Sequence, residues 1–167
     1  MRLARHAEGS VVLELRRADG TRTWQKRAGP TAEFFAAHDL THYAVESTLG
    51  LADAFLGLVA RGWALPDFAA PWPRGPLPAT ARFAEVLVGQ LDLERRTGVA
   101  ATADGVNAEV ARYFADRPAP DPRPVTEAEV QAMRRAADAL LARWARVAPG
   151  GELRLDVPPP PAATLSR

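Results

Sequence analysis

Two histidines one helical turn apart, in the segment His38-Asp39-Leu40-Thr41-His42, are the residues whose types and spacing offer chemistry most directly. The chain has three histidines and no cysteine, which excludes thiolate nucleophiles, disulfides and cysteine-based zinc patterns together. Any metal must therefore rest on imidazole and carboxylate. On a helix at about 100° per residue, His42 falls about 40° from His38, Glu46 about 80° and Asp39 about 100°. All four polar groups then share one face. Two imidazoles at this spacing reach one ion together, as in helical zinc sites, while nearby carboxylates complete the shell or orient an imidazole through its second nitrogen. The predicted site is a divalent metal centre, zinc by donor type, with His38, His42, Asp39, Glu46 and Glu85 as candidate ligands.

A straight helix separates His38 from Glu46 by two turns, about 12 Å along the axis, so Glu46 is expected to support a ligand rather than complete the same shell. A third ligand must come from elsewhere. Glu85 leads because it interrupts the apolar run Phe83-Ala84-Glu85-Val86-Leu87-Val88, where an unpaired carboxylate would be costly; on the other reading it simply faces solvent. Asp53 and His6 are the next choices. The pair also has a reading without metal, in which Asp39, Glu46 or backbone carbonyls satisfy both imidazoles, and Asp39 in a first helical turn interacts well with the helix dipole. If the ion is catalytic, an activated water is the nucleophile of a hydrolysis. The rival is a noncatalytic protein that uses the same stripe to hold its core or to bind a partner.

The segment His38-Asp39-Leu40-Thr41-His42 resembles the HDxxH segment of the ubiquinone-biosynthesis zinc-motif family. The resemblance implies a largely helical fold with the two His, the Asp and a later Glu as ligands, which carries over to His38, Asp39 and His42. The family's acid lies beyond an eleven-residue gap, whereas here ten residues separate His42 from Asp53 and the acid is shorter. No substrate carries over. The longer stretch from His38 to Glu46 is similar to one in uncharacterised bacterial proteins, which implies no activity.

Other chemistries lack their residues. Asp39 stands where helical metalloproteases place a Glu as general base, and its side chain is one methylene shorter. Ser47 falls about 180° from nearby bases such as His38 on the wheel, so no triad forms. The segment from Gly57 to Gly62 lacks the Lys and Ser/Thr of a phosphate loop. Trp24, Trp63, Trp72 and Trp144 read as core or loop anchors, and Arg134, Arg135, Arg143 and Arg146 as a solvated face of the last helix.

The elements that must hold the histidines can be read from pattern. The 167 residues suffice for one domain with a real core, expected over residues 1–157, with a mobile Pro-rich tail over 158–167. A formal charge of +1 argues against nucleic-acid binding; no apolar run is long enough to span a bilayer, and no secretory signal is visible. A cytoplasmic location is the expectation, with a small molecule or a protein as partner. Arg far outnumbers Lys, as in GC-rich bacterial genomes.

The pattern predicts an α+β fold. Short strands over Arg2–His6, Ser10–Arg16 and Thr21–Lys26, with an Asp19-Gly20 turn, form an antiparallel β-meander, and a C-terminal strand over Glu152–Val157 joins it. About five helices pack against this sheet: Ala37–Leu49, Leu51–Arg61, Ala79–Thr97, Asp104–Asp116, and one opening with a Thr126/Glu129 capping box and carrying an apolar stripe to Val147. The proline-rich stretch from Leu65 to Pro78 reads as an ordered loop in which Phe68 and Trp72 seek burial, and another such stretch runs from Arg117 to Pro124.

Overall fold

The computed structural model describes residues 1–116 and 123–157. The segment 117–122, within the second proline-rich stretch, and the tail 158–167 lie outside the described residues. The architecture is α+β, as the pattern predicts. Strands β1 (Arg2–Arg5), β2 (Val11–Arg16), β3 (Arg22–Arg27) and β4 (Glu152–Arg154) form one antiparallel sheet in the order β3-β2-β1-β4. Leu13 lies opposite Leu3, which lies opposite Leu153, so one face of the sheet is a continuous apolar surface. The C-terminal strand is shorter than expected. Beyond it the pairing continues through the Leu155 N–H to the Met1 carbonyl and the Met1 ammonium to the Leu155 carbonyl, and the next carbonyl, of Asp156, accepts the Tyr43 hydroxyl instead.

The helices are α1 (Ala32–Leu49), α2 (Phe55–Ala60), α3 (Ala79–Thr97), α4 (Ala103–Phe114) and α5 (Glu127–Ala145). Helix α1 is central: it packs against α5, α3, α2 and β2. Ala36, Leu40 and Ala44 face the sheet-side core with Leu13 and Trp144, while Val45 joins a second core with Leu87, Val88, Val130 and Met133. Burial on both sides explains why this helix lacks the one-sided stripe of a surface helix. Truncating the fully buried Leu40 to Ala should cost about 2–5 kcal/mol.

Most boundaries lie within two residues of expectation, and two helix starts differ by four or five, each for a local reason. Helix α1 starts five residues before the expected Ala37, because Ala32 and Ala36 are buried against the sheet and extend the helix through tertiary contact rather than propensity. Helix α2 starts only at Phe55. The Gly50 N–H, at φ 64°, and the Leu51 N–H both return to the Glu46 carbonyl, and the chain must finish this turn before it can restart. Close packing of the turn on α2 demands Gly57, since a Cβ there would lie 1.8 Å from the Ala52 carbonyl oxygen.

The Thr126/Glu129 capping box of α5 is present in both directions. Among the aromatics, Phe68 ends a short 3-10 turn (Leu65–Phe68) and packs on the sheet-side core, as expected. Trp144 is buried, but Trp24 and Trp72 are largely exposed, so not all four tryptophans are anchors. Among the described residues no helix is long and apolar enough to cross a membrane.

Candidate metal centre

Helix α1 supplies both histidines and α3 packs across them. One donor atom each from His38, His42 and Glu85 lies within 4.8 Å of the others. The rings of His38 and His42 stand edge to face at 4.7 Å, as i and i+4 side chains on one helix face must. Exposure rises outward across the group: His42 and Glu46 side chains are 3% exposed, His38 25% and Glu85 45%. The centre therefore sits at the mouth of a buried polar stripe, with its carboxylate toward solvent.

Each imidazole has its Nδ1 against a carboxylate. His38 Nδ1 lies 2.8 Å from Asp92 Oδ2 on α3, and His42 Nδ1 lies 3.1 Å from Glu46 Oε1 one turn along α1. Burial works against the charge of Asp92, but the His38 hydrogen bond and the His38 and Arg95 charges hold its carboxyl below the usual range. An ionised carboxylate has only acceptors, so the His38 Nδ1–H donates. In the neutral imidazole this leaves the Nε2 lone pair available, and among the described residues Nε2 makes no hydrogen bond. Carboxylates that fix a ring in this way are the usual outer partners of metal-bound histidine.

At His42 the geometry poses a sharper question. Its Nε2 lies 3.4 Å from Glu85 Oε1, longer than a good hydrogen bond. A nitrogen lone pair cannot face a carboxylate oxygen at that distance without positive charge between them, whether a proton or a cation. In the protein without an ion, burial lowers the affinity of His42 for a proton. Glu46 and Glu85 outweigh it and raise the pKa to about 10. Burial would raise Glu85, yet the approach of His42 and the two imidazole charges bring its carboxyl below the usual range. For tetrahedral zinc with ligands at about 2.0–2.1 Å, neighbouring donors stand about 3.3 Å apart. The His42–Glu85 separation matches that edge.

Glu46 does not turn toward the other donors. Its Oε1 holds His42 and its Oε2 accepts the Leu56 N–H at 2.8 Å, so one carboxylate joins the histidine to the first turn of α2. Burial raises its pKa against these hydrogen bonds. Asp39 lies on the same helix beside His38 and is buried, and its carboxylate makes no hydrogen bond among the described residues. Desolvation raises its carboxyl to about 6, with the charges of His38, His42 and Arg27 pulling the other way. It stands next to the three close donors without being one of them.

The other two choices for a third ligand are elsewhere. Asp53, in the turn after α1, pairs with Arg61 at 2.6 Å, and His6 lies in the exposed turn after β1. Of the three, the fold brings only Glu85 to the pair. Asp92 was not singled out from sequence, although a signal exists: it follows Glu85 by seven residues, which returns a helix to within about 20° of the same face.

No protein-family model, curated protein or solved structure matches this chain.

Proposed function

We propose that this protein binds one divalent metal ion, zinc by donor type, through His38, His42 and Glu85, and that it is a metal-dependent hydrolase. The observation that carries this reading is the convergence of three donors within 4.8 Å, two of them imidazoles whose Nδ1 atoms are already engaged by Asp92 and Glu46. Two His and one carboxylate with a fourth position left for water is a ligand set of catalytic zinc, whereas structural zinc is closed by four protein ligands. In this arrangement the chain holds both imidazoles in place through Asp92 and Glu46, and half-exposed Glu85 would keep a bound ion within reach of solvent. A bound zinc would supply an activated water at neutral pH. The HDxxH resemblance points to the same two histidines and adds Asp39, which is buried beside them and interacts electrostatically with both imidazoles.

A second reading has its own support: His42 as an imidazolium between Glu46 and Glu85 satisfies the stripe without metal, in a noncatalytic protein. Elemental analysis of untagged protein purified without added metal separates the two. The metal reading expects close to one equivalent of zinc per chain, lost in His42→Ala and sharply reduced in Glu85→Gln. Metal-free protein that also fails to take up zinc from a buffered supply would overturn it. Hydrolase activity is tested separately, by screening ester, amide and phosphoester substrates with and without chelator.

A further inference from the structure

A second feature shares no residue with the histidine group. Between the proline-rich loop and the start of α3 lies a cavity of about 430 Å³, in the range of small-molecule sites. Pro71, Trp72, Pro76 and Leu77 from the loop, together with Tyr113 from α4, make its walls mostly apolar. Among the described residues, Arg82, from the first turns of α3, is the one charged side chain lining it.

Arg82 differs from its counterparts. The other half-buried arginines all have polar partners: Arg2 has Glu152, Arg5 has Glu33, Arg17 has the Val59 and Trp63 carbonyls, and Arg134 has Glu94. Arg82 Nε is buried and has none, and the guanidinium has no ion pair among the described residues. Its contact is with the ring of Phe114, whose centroid lies 5.5 Å from Cζ. Such a face contact leaves the in-plane N–H donors unused, and a buried donor without an acceptor is costly.

The wall opposite adds an independent sign. Trp72 adopts φ 58°, a left-handed conformation that a bulky side chain rarely accepts, and it does so while 43% exposed. Backbone hydrogen bonds from the Trp72 N–H to Ala69 and from the Gly75 N–H to Trp72 hold it there. Strain of this kind persists where the surrounding structure imposes it, and it clusters at ligand-binding positions.

We propose that this cavity binds a small aromatic monocarboxylate, its carboxylate on the Arg82 guanidinium and its ring between Trp72 and the proline walls. A guanidinium fork matches a carboxylate in charge and plane. With Arg82 as the one cation and the Tyr113 phenol as the one hydroxyl in the lining among the described residues, the cavity offers little to the second charge of a phosphate monoester. The cavity leaves Glu85, one turn further along α3, to the histidines.

Titration of chelator-treated protein with phenylacetate and cinnamate, followed by calorimetry and tryptophan fluorescence, tests this without involving any metal. One saturable site is expected, at least tenfold tighter for phenylacetate than for uncharged phenylacetamide. Arg82→Gln should abolish that preference, and Trp72→Phe should remove the fluorescence change. Arg82→Lys keeps the charge but not the fork, so it should bind several-fold more weakly; it serves as the test if the Gln variant does not fold. The proposal is overturned if neither carboxylate binds saturably up to the millimolar range, or if a folded Arg82 variant binds both as the unaltered protein does.

Discussion

The two halves of α3 each bring a carboxylate to a basic side chain on another helix, and they finish the contact differently. Near its end, Glu94 takes two hydrogen bonds from Arg134, at 2.5 and 2.9 Å, and accepts the Ala101 N–H, while Arg134 also reaches the Ala101 carbonyl. Both Glu94 carboxylate oxygens have partners, and the result is a clamp joining α3, α5 and the chain before α4. Near the start of α3, Glu85 makes one 3.4 Å approach to His42, and among the described residues neither His38 Nε2 nor the Asp39 carboxylate beside it makes a hydrogen bond. A saturated cluster can only hold the fold together. An unsaturated one, with its inner atoms fixed by Asp92 and Glu46, has valences left for a ligand.

The difference can be broken or sharpened by substitution. The largest effect on stability should come from His42→Ala, which leaves Glu46 buried without its partner. A loss of about 3–5 kcal/mol in urea denaturation of metal-free protein is expected. A loss under about 1 kcal/mol would mean that the stripe is solvated and not a built site. Arg134→Ala should come next, at about 1–3 kcal/mol, since it strips a charged hydrogen-bond donor from a partly buried carboxylate. It should leave metal content unchanged.

The Arg134 effect should depend on pH with a definite sign. Hydrogen bonds from Arg134 hold the Glu94 carboxyl below its ordinary 4.5. Its contribution is therefore complete above pH 4.5 and is lost as pH falls through the lower folded value, so the penalty of Arg134→Ala should shrink in that window. A penalty constant down to pH 2 would place its origin in packing rather than charge.

Glu85→Gln inverts the pattern. Nearly half exposed and weakly engaged, Glu85 should contribute less than about 1 kcal/mol to metal-free stability, yet its loss should sharply lower zinc content. The smallest effects belong to Asp53→Asn and His6→Gln. Both should lie within about 0.5 kcal/mol of the parent protein in thermal melts and keep its metal content. Loss of metal in either would show that the ligand set has been drawn wrongly.

Much of this was legible in the chain. Helix α3 spans the residues predicted for it, because Gly98 at φ 71° stops it and the apolar spacing inside is regular. The α5 capping box was readable for the same reason, since both its residues lie within one turn. What failed was what depends on neighbours. The early start of α1 is set by burial of Ala32 and Ala36, Trp72 is exposed by the loop that carries it, and Arg134 leaves the expected solvated face only because Glu94 comes within reach.

The same division runs through the candidate site. The i, i+4 spacing placed His38 and His42 side by side and set Glu46 behind His42, because a helix has only one geometry and its side-chain neighbours follow from position alone. Which third group meets them was not local information. Glu85, Asp53 and His6 were all compatible with the sequence. The choice of Glu85, and the arrival of Asp92 at His38, came from how α1 and α3 cross, which is decided by the apolar surfaces that Val45, Leu87 and Val88 bury together.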